Sequence, residues 1–180
     1  RVLIVEKRAH IGGNMYDELD ESGILVHRYG PHIFHTNDKR AFEYIRRFTE
    51  WRDYEHEVLA DWYGTYMPVP FNKNSMEIVY GEEKAARLID KLIETFGDER
   101  KVTINELREQ DDSELAEIAD FVYKNVFLYY TQKQWGLKPE EVDPSVTARV
   151  PVFISRDNRY FQDAYQGMPV FGYTKLFEEM

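Results

Sequence analysis

The hydrophobic pattern changes period along the chain, and each change marks a change of element. Residues 2–5 (Val-Leu-Ile-Val) form a continuous apolar run ending at Glu6, which reads as a strand. The Gly12-Gly13 doublet before Asn14 marks a turn. "GILVHRYGPHIFHTN", from Gly23, alternates extended residues with Gly and Pro. Asn37 or Asp38 then stands where a helix cap belongs, ahead of Phe42, Ile45 and Phe48 on one helical face. "VLADWYGTYMPVPF", from Val58, reads as a hairpin of two aromatic-rich strands joined at Gly64-Thr65, a two-residue turn with Gly in first place.

The middle of the chain switches to helical spacing. "EEKAARLIDKLIETFG" sets Ala85, Leu88, Ile89, Leu92, Ile93 and Phe96 on one stripe and stops at Gly97, a natural position past a helix end. Thr103 and Glu106 have the spacing of a capping box. From Ser113 a long helix is expected to carry Leu115, Ile118, Ala119, Val122, Val126 and Tyr130 on one side. Beyond Pro139 and Pro144, short extended runs return in "RVPVFIS" and "NRYFQDAYQGMPV", and "YTKLFEEM" reads as helix. The pattern predicts a mixed α/β protein with a helical insertion.

Composition narrows the function classes. The 180 residues, 43% hydrophobic and 15% aromatic, supply enough apolar material for one large core or two small ones. With no Cys, neither a disulfide framework nor thiolate chemistry is available. No apolar run has the length of a membrane-spanning helix, and a cytoplasmic location is expected. A net charge of −10 argues against nucleic acid or an anionic membrane as the main partner.

Three groups of residues could carry chemistry. The first is Glu6 with Gly12, Gly13 and Asn14. A carboxylate ending an apolar strand can accept hydrogen bonds from adenosine ribose hydroxyls, about 20 residues after a glycine-rich phosphate loop. Only five residues precede Glu6, so the chain reads as an internal piece of a longer protein. The bland alternative is an ordinary strand and turn. The second group is His27, His32 and His35, within nine residues. Pro31 interrupts them and no Cys or carboxylate cluster joins them, so no metal is expected; one His faces a ligand and the others are satisfied polar groups. The third is "VFLYYTQKQWG" followed by Arg149, Arg156, Arg159 and Tyr160. Tyr130, Trp135 and Tyr160 offer flat faces to a base or sugar, and guanidinium groups match phosphate oxygens. The alternative packs the aromatics into the core and pairs the Arg residues with Asp143, Asp157 and Asp163.

"EKRAHIGGN", "GPHIFHTN", "PFN", "YTQKQWG", "RVPV" and "NRYFQDAYQGMPVFGYT", in that order over nearly the whole chain, resemble the UDP-galactopyranose mutase family of the bacterial type. The resemblance implies an FAD-dependent isomerase that interconverts UDP-galactopyranose and UDP-galactofuranose, the donor for galactofuranose in cell-surface glycans. It implies that reduced FAD acts through N5 as the nucleophile, which suits a chain with no Ser-His-Asp set, carboxylate dyad or Cys. It further implies part of an FAD-binding Rossmann-like domain, a helical-bundle insertion and part of an antiparallel sheet domain. On this reading residues 1–38 belong to the FAD domain, 39–72 form a linking helix and hairpin, and 73–138 the helical bundle. Residues 139–180 continue the sheet domain and return towards the FAD domain. The phosphate loop and a C-terminal portion are expected to lie outside these 180 residues, so the chain alone should bind FAD poorly and be inactive.

Carried over position by position, Glu6 resembles the ribose-binding acid, Arg8, Gly12, Gly13 and Asn14 the cofactor-contacting turn, and His32 the residue against the flavin ring. Phe127, Tyr130, Thr131 and Trp135 match substrate-lining positions. Arg149 matches the Arg that closes over the diphosphate, Tyr160 the Tyr that stacks on uracil, and His56 a variable substrate-side position. Arg149 and His32 are the catalytic candidates, and a homodimer is left open. Two other classes stand beside this reading. An amine-oxidase-like flavoprotein shares the acid-terminated strand and Gly doublet but would oxidise its substrate, and a non-catalytic binding module would not hold flavin.

Overall fold

The computed structural model describes residue 3, residues 5–137, residue 141 and residues 151–180. The chain divides into two compact units, one built from residues 1–56 and 161–180, the other from residues 57–160.

In the first unit, β1 (Asp17–Leu19) and β2 (Leu25–His27) form a hairpin, with Asp17 opposite His27. β3 (Phe34–Thr36), α1 (Lys39–Ile45), β4 (Trp51–Asp53), β9 (Tyr165–Pro169) and α7 (Gly172–Glu179) complete it. β9 lies between β3 and β4, antiparallel to both. Its Gly167 is required by close packing, because a Cβ there would stand 2.8 Å from the Arg52 carbonyl oxygen. Phe34, Phe42, Trp51 and Tyr165 pack their rings together over this sheet. Asp38, not Asn37, caps α1, accepting from the Arg40 and Ala41 N–H groups; Asn37 instead accepts from Ala164 N–H. The helix ends at Ile45, so Phe48 lies beyond the face predicted for it.

The strand expected at the start of the chain is not formed by the described residues. Residues 3, 5 and 6 belong to no ladder, and Leu3 and Val5 are 86% and 84% exposed. An apolar run becomes a strand only where a neighbour takes its backbone N–H and C=O groups, and none of the described residues does so.

The second unit holds the larger core. β5 (Val58–Trp62) and β6 (Thr65–Val69) make the predicted hairpin, but Trp62 pairs with Thr65. The turn is therefore Tyr63-Gly64, one residue earlier than expected. Both lie at positive φ, 48° and 85°, as a turn that follows strand twist requires. α2 (Lys73–Tyr80) and α3 (Glu82–Phe96) follow, the latter burying Ala85, Leu88, Ile89 and Leu92 as its periodicity predicts. After β7 (Lys101–Val102), α4 (Ile104–Arg108) begins with the Thr103–Glu106 capping box. β8 (Val152–Phe153) pairs with β7, and Phe153 N–H donates to the Phe71 carbonyl at 2.8 Å.

The long helix expected from Ser113 is interrupted. α5 (Ser113–Val122) passes into a single π turn, Tyr123–Phe127, and then into α6 (Leu128–Trp135). Leu115, Ile118, Ala119 and Val122 are buried as predicted. The stripe then continues through Phe127 and Thr131, with Tyr130 exposed and Val126 only half-buried. The extra residue of the π turn moves the buried positions one place along the sequence.

Candidate functional site

The candidate residues fall in both units. In the first, the segment from Glu6 to Tyr16 folds on itself through polar contacts. The exposed Glu6 carboxylate accepts the Arg8 N–H at 2.9 Å. That bond, with help from the nearby Arg8 charge, holds the carboxyl below the usual carboxylate range. The Arg8 guanidinium donates to Asn14 Oδ1 at 2.7 Å and lies 4.7 Å from the centre of the Tyr29 ring. Gly12 and Gly13 take left-handed φ values of 85° and 56°, which carry the chain into the short turn Gly13–Met15. Gly12 also answers to packing, since a Cβ there would stand 3.1 Å from the Phe177 ring. Glu6, Arg8 and Asn14 are thus gathered around one turn, with an ionised acceptor beside a cation.

His10, which the sequence reading passed over, belongs to the same cluster. Its ring stacks on Tyr16 at 3.9 Å, and its Nε2 lies 2.8 Å from the Tyr29 hydroxyl. Its other nitrogen, Nδ1, donates to the Ile11 carbonyl, which is an acceptor only.

The three histidines of "HRYGPHIFHTN" separate into a pair and a single. His27 Nδ1 accepts the His32 backbone N–H at 2.9 Å, and His32 Nδ1 donates to the Gly30 carbonyl at 2.8 Å. That leaves His32 half-buried, with Nε2 as its remaining ring nitrogen. His35, on β3, faces Asp163 instead, with Nδ1 at 2.9 Å from Oδ2. Asn37 Nδ2 donates to the other Asp163 oxygen at 2.8 Å, and the His35 ring stacks on Phe161 at 3.7 Å. His56 approaches the same Phe161 ring and lies 3.1 Å from the Tyr54 hydroxyl. The His35–Asp163 pair was missed because its members stand 128 positions apart. Among the described residues no group of three His, Asp or Glu side chains has metal-binding geometry.

In the second unit, Phe127 and Thr131 are buried, 3% and 1% exposed, while Tyr130 is 59% exposed. Trp135 is the last residue of α6 and Tyr160 is half-buried. Arg149 and Asp143 lie outside the described residues. Arg156 and Arg159 are engaged with carboxylates. Arg156 binds Glu77 through its two terminal guanidinium nitrogens, at 2.5 and 3.1 Å, and this pairing holds the Glu77 carboxyl below its ordinary range. Arg159 grips Asp157, with its NH2 at 2.8 Å, and lowers that carboxyl likewise. Of the Asp partners foreseen for these cations, Asp157 is taken up, whereas Arg156 selects Glu77 and Asp163 is held by His35 and Asn37.

An open pocket in the first unit, lined by Arg46, Arg47, Phe48, Glu50, Phe171 and Lys175, includes none of the candidate residues. Its Arg46 pairs with Glu43 and its Lys175 with Glu179, so charges of both signs line it. None of the described helices is long and apolar enough to cross a membrane.

Comparison with known proteins adds to this geometry. Residues 125–180 match the family model of UDP-galactopyranose mutase, and residues 1–48 that of an NAD(P)-binding Rossmann-like domain. The chain is 36% identical to a dTDP-fucopyranose mutase of Escherichia coli, over 100% of its own length and 47% of the other's. It is also 36% identical to a UDP-galactopyranose mutase of Mycoplasma pneumoniae, over 99% of its length and 46% of that protein. A probable UDP-galactopyranose mutase of Klebsiella pneumoniae matches at 35%, over 98% of the chain and 46% of the relative. Over nearly its whole length the chain is similar to pyranose mutases, its residues 125–180 match the UDP-galactopyranose mutase family model, and it spans about half the length of the curated relatives it matches.

Proposed function

We propose that the whole protein is a flavin-dependent pyranose mutase that interconverts UDP-galactopyranose and UDP-galactofuranose. The observation that carries this reading is the match, at 35–37% identity over all or nearly all of the chain, to proteins named as pyranose mutases. The Rossmann-like match over residues 1–48 supports FAD, and the residues there suit it. Glu6 presents an ionised, exposed acceptor for a ribose diol, and Arg8 and Asn14 brace the turn beside it. When bound, reduced FAD supplies the electron pair that attacks the anomeric carbon.

The protein's own residues then hold and orient. His32, with Nδ1 committed to Gly30, would meet the cofactor through Nε2. Tyr130, Trp135 and Tyr160 provide ring faces for base and sugar, with His56 on the substrate side. Phe127 and Thr131, buried behind Tyr130, back the substrate-facing helix. Arg149 supplies a fork of donors to the departing diphosphate, where negative charge develops. A cytoplasmic site of action and a homodimer belong to the same proposal.

A second reading follows from the Escherichia coli relative: the sugar nucleotide is dTDP-fucopyranose. Assay of the full-length protein on both substrates, with flavin oxidised and reduced, separates the readings. Turnover of UDP-galactofuranose only after reduction is expected. Exclusive use of the dTDP sugar would select the second reading, and rapid flavin reduction by an amine would overturn both in favour of an oxidoreductase.

A further inference from the structure

We propose that Asn125 is a positioning residue, whose side chain latches the π turn Tyr123–Phe127 and thereby keeps Tyr130 turned outward on α6. The ligand-facing part of this inference rests on the pyranose-mutase reading. The geometric part does not.

The argument starts from helical phase. An uninterrupted α-helix burying Leu115, Ile118, Ala119 and Val122 would bring residues 126 and 130 to the same face. Val126 and Tyr130 are apolar enough to serve, so the sequence allows that phase. The structure takes the other one. Phe127 and Thr131 are buried, five and nine places beyond Val122, and Tyr130 is 59% exposed. Five residues where an α-helix uses four is the count of one π turn, closed by Leu128 N–H donating to the Tyr123 carbonyl. One residue of phase is about 100° of rotation, so the two phases present different side chains to a ligand.

The latch is visible at the start of this turn. In an α-helix the Phe121 carbonyl accepts from the backbone N–H of residue 125. Here the Asn125 side-chain amide reaches that carbonyl, donating at 2.9 Å. A carbonyl beside the widened turn thereby has a side-chain donor, and that bond favours the backbone arrangement that makes it. Phe121 is itself fixed, with its ring against Trp62, Phe71 and Tyr80. The bond thus ties the turn to the core of the second unit.

The absence of native Cys makes the phase measurable by thiol labelling. Tyr130→Cys should label faster than Thr131→Cys by about tenfold or more, because the second site reacts only through local opening. Adding Asn125→Ala should shrink or invert that ratio, while Lys124→Ala, at an exposed neighbour, should leave it unchanged. An unchanged ratio in N125A would overturn the proposal. If N125A does not fold, deletion of Asn125 decides. It removes the extra residue, so a plain α-helix buries Phe127 and Thr131 and the native ratio should return; failure to return would also overturn the proposal. In the full-length protein, N125A should weaken UDP binding by about tenfold, which is about 1.4 kcal/mol. If UDP does not bind the native protein the mutase reading fails while the labelling result stands. If it binds native and N125A proteins equally, the ligand-positioning role fails.

Discussion

Asp17 Oδ2 accepts the Tyr173 backbone N–H at 2.6 Å, across 156 positions of sequence. Its other oxygen accepts Thr174 N–H at 2.8 Å, while Thr174 Oγ1 returns a bond to the Asp17 carbonyl. α7 has no capping side chain of its own, so a residue of the β1–β2 hairpin caps it. Asp17 is 3% exposed, and Gly172 allows the approach, since a Cβ there would stand 2.6 Å from Asp17 Oδ2. Asp17→Ala should therefore lower stability by about 1–3 kcal/mol, the cost of stranding buried donors. Denaturant unfolding tests this, and a variant with the native midpoint would mean that water caps the helix equally well.

The hairpin turn carries a correctable strain. Tyr63 holds φ at 48° and is 91% exposed, with its ring edge-on to Trp62 at 4.7 Å between centroids. Tyr63→Asn, which makes the Asn-Gly pair preferred in such turns, should stabilise the second unit by up to about 1 kcal/mol. A lowered unfolding midpoint would show that the exposed ring contributes more than the turn loses.

Lys91 sits between Asp112 and Glu114, 2.7 and 2.5 Å from their carboxylates. Hydrogen bonding to Lys91 is the main cause that lowers both acids from their ordinary 3.8 and 4.5, and hydrogen bonds to Asp112 and Glu114 raise Lys91 above 10.5. For the acids, stabilisation is complete above those ordinary values and is lost as pH falls through the lowered ones. For Lys91 it is complete below 10.5 and lost as pH rises through the raised value. Lys91→Met should flatten both the acid and the alkaline limb of a midpoint-against-pH curve. Unchanged limbs would assign the pH dependence to other groups.

Phe127 and Tyr130 should respond in opposite ways. Phe127→Ala removes a buried ring and should cost about 3–5 kcal/mol of folding free energy. Tyr130→Ala, at an exposed position, should change stability by less than about 0.5 kcal/mol. In the full-length protein it should weaken UDP binding by about 1–3 kcal/mol, as loss of a stacking aromatic does. A large stability loss in Tyr130→Ala would move that ring into the core.

Glu6 bears on the cofactor. In the full-length protein Glu6→Ala should weaken FAD by about 1–3 kcal/mol, the scale of a charge-assisted hydrogen bond. Flavin titration reads this directly, and native affinity in the variant would remove Glu6 from the ribose site.

What the sequence determined by itself is what local chemistry controls. The capping box at Thr103, the buried stripe of α3 and its stop at Gly97 depend on neighbours within one or two turns, so spacing alone revealed them. The ordered motifs pointed in the same way to the mutase family, since each is a short string. Tertiary structure decided wherever a partner is distant or two phases compete. Asp163 comes to His35 from 128 positions away, and Asp17 caps a helix 156 positions on. The apolar run at residues 2–5 carries the strand signal, yet its described residues, Leu3 and Val5, join no ladder, since a strand exists only where another supplies its hydrogen bonds. Beyond Val122, both Val126–Tyr130 and Phe127–Thr131 make acceptable apolar stripes. Packing of Phe127 and Thr131 into the core, through one added residue of helix, settled which side chains face inward.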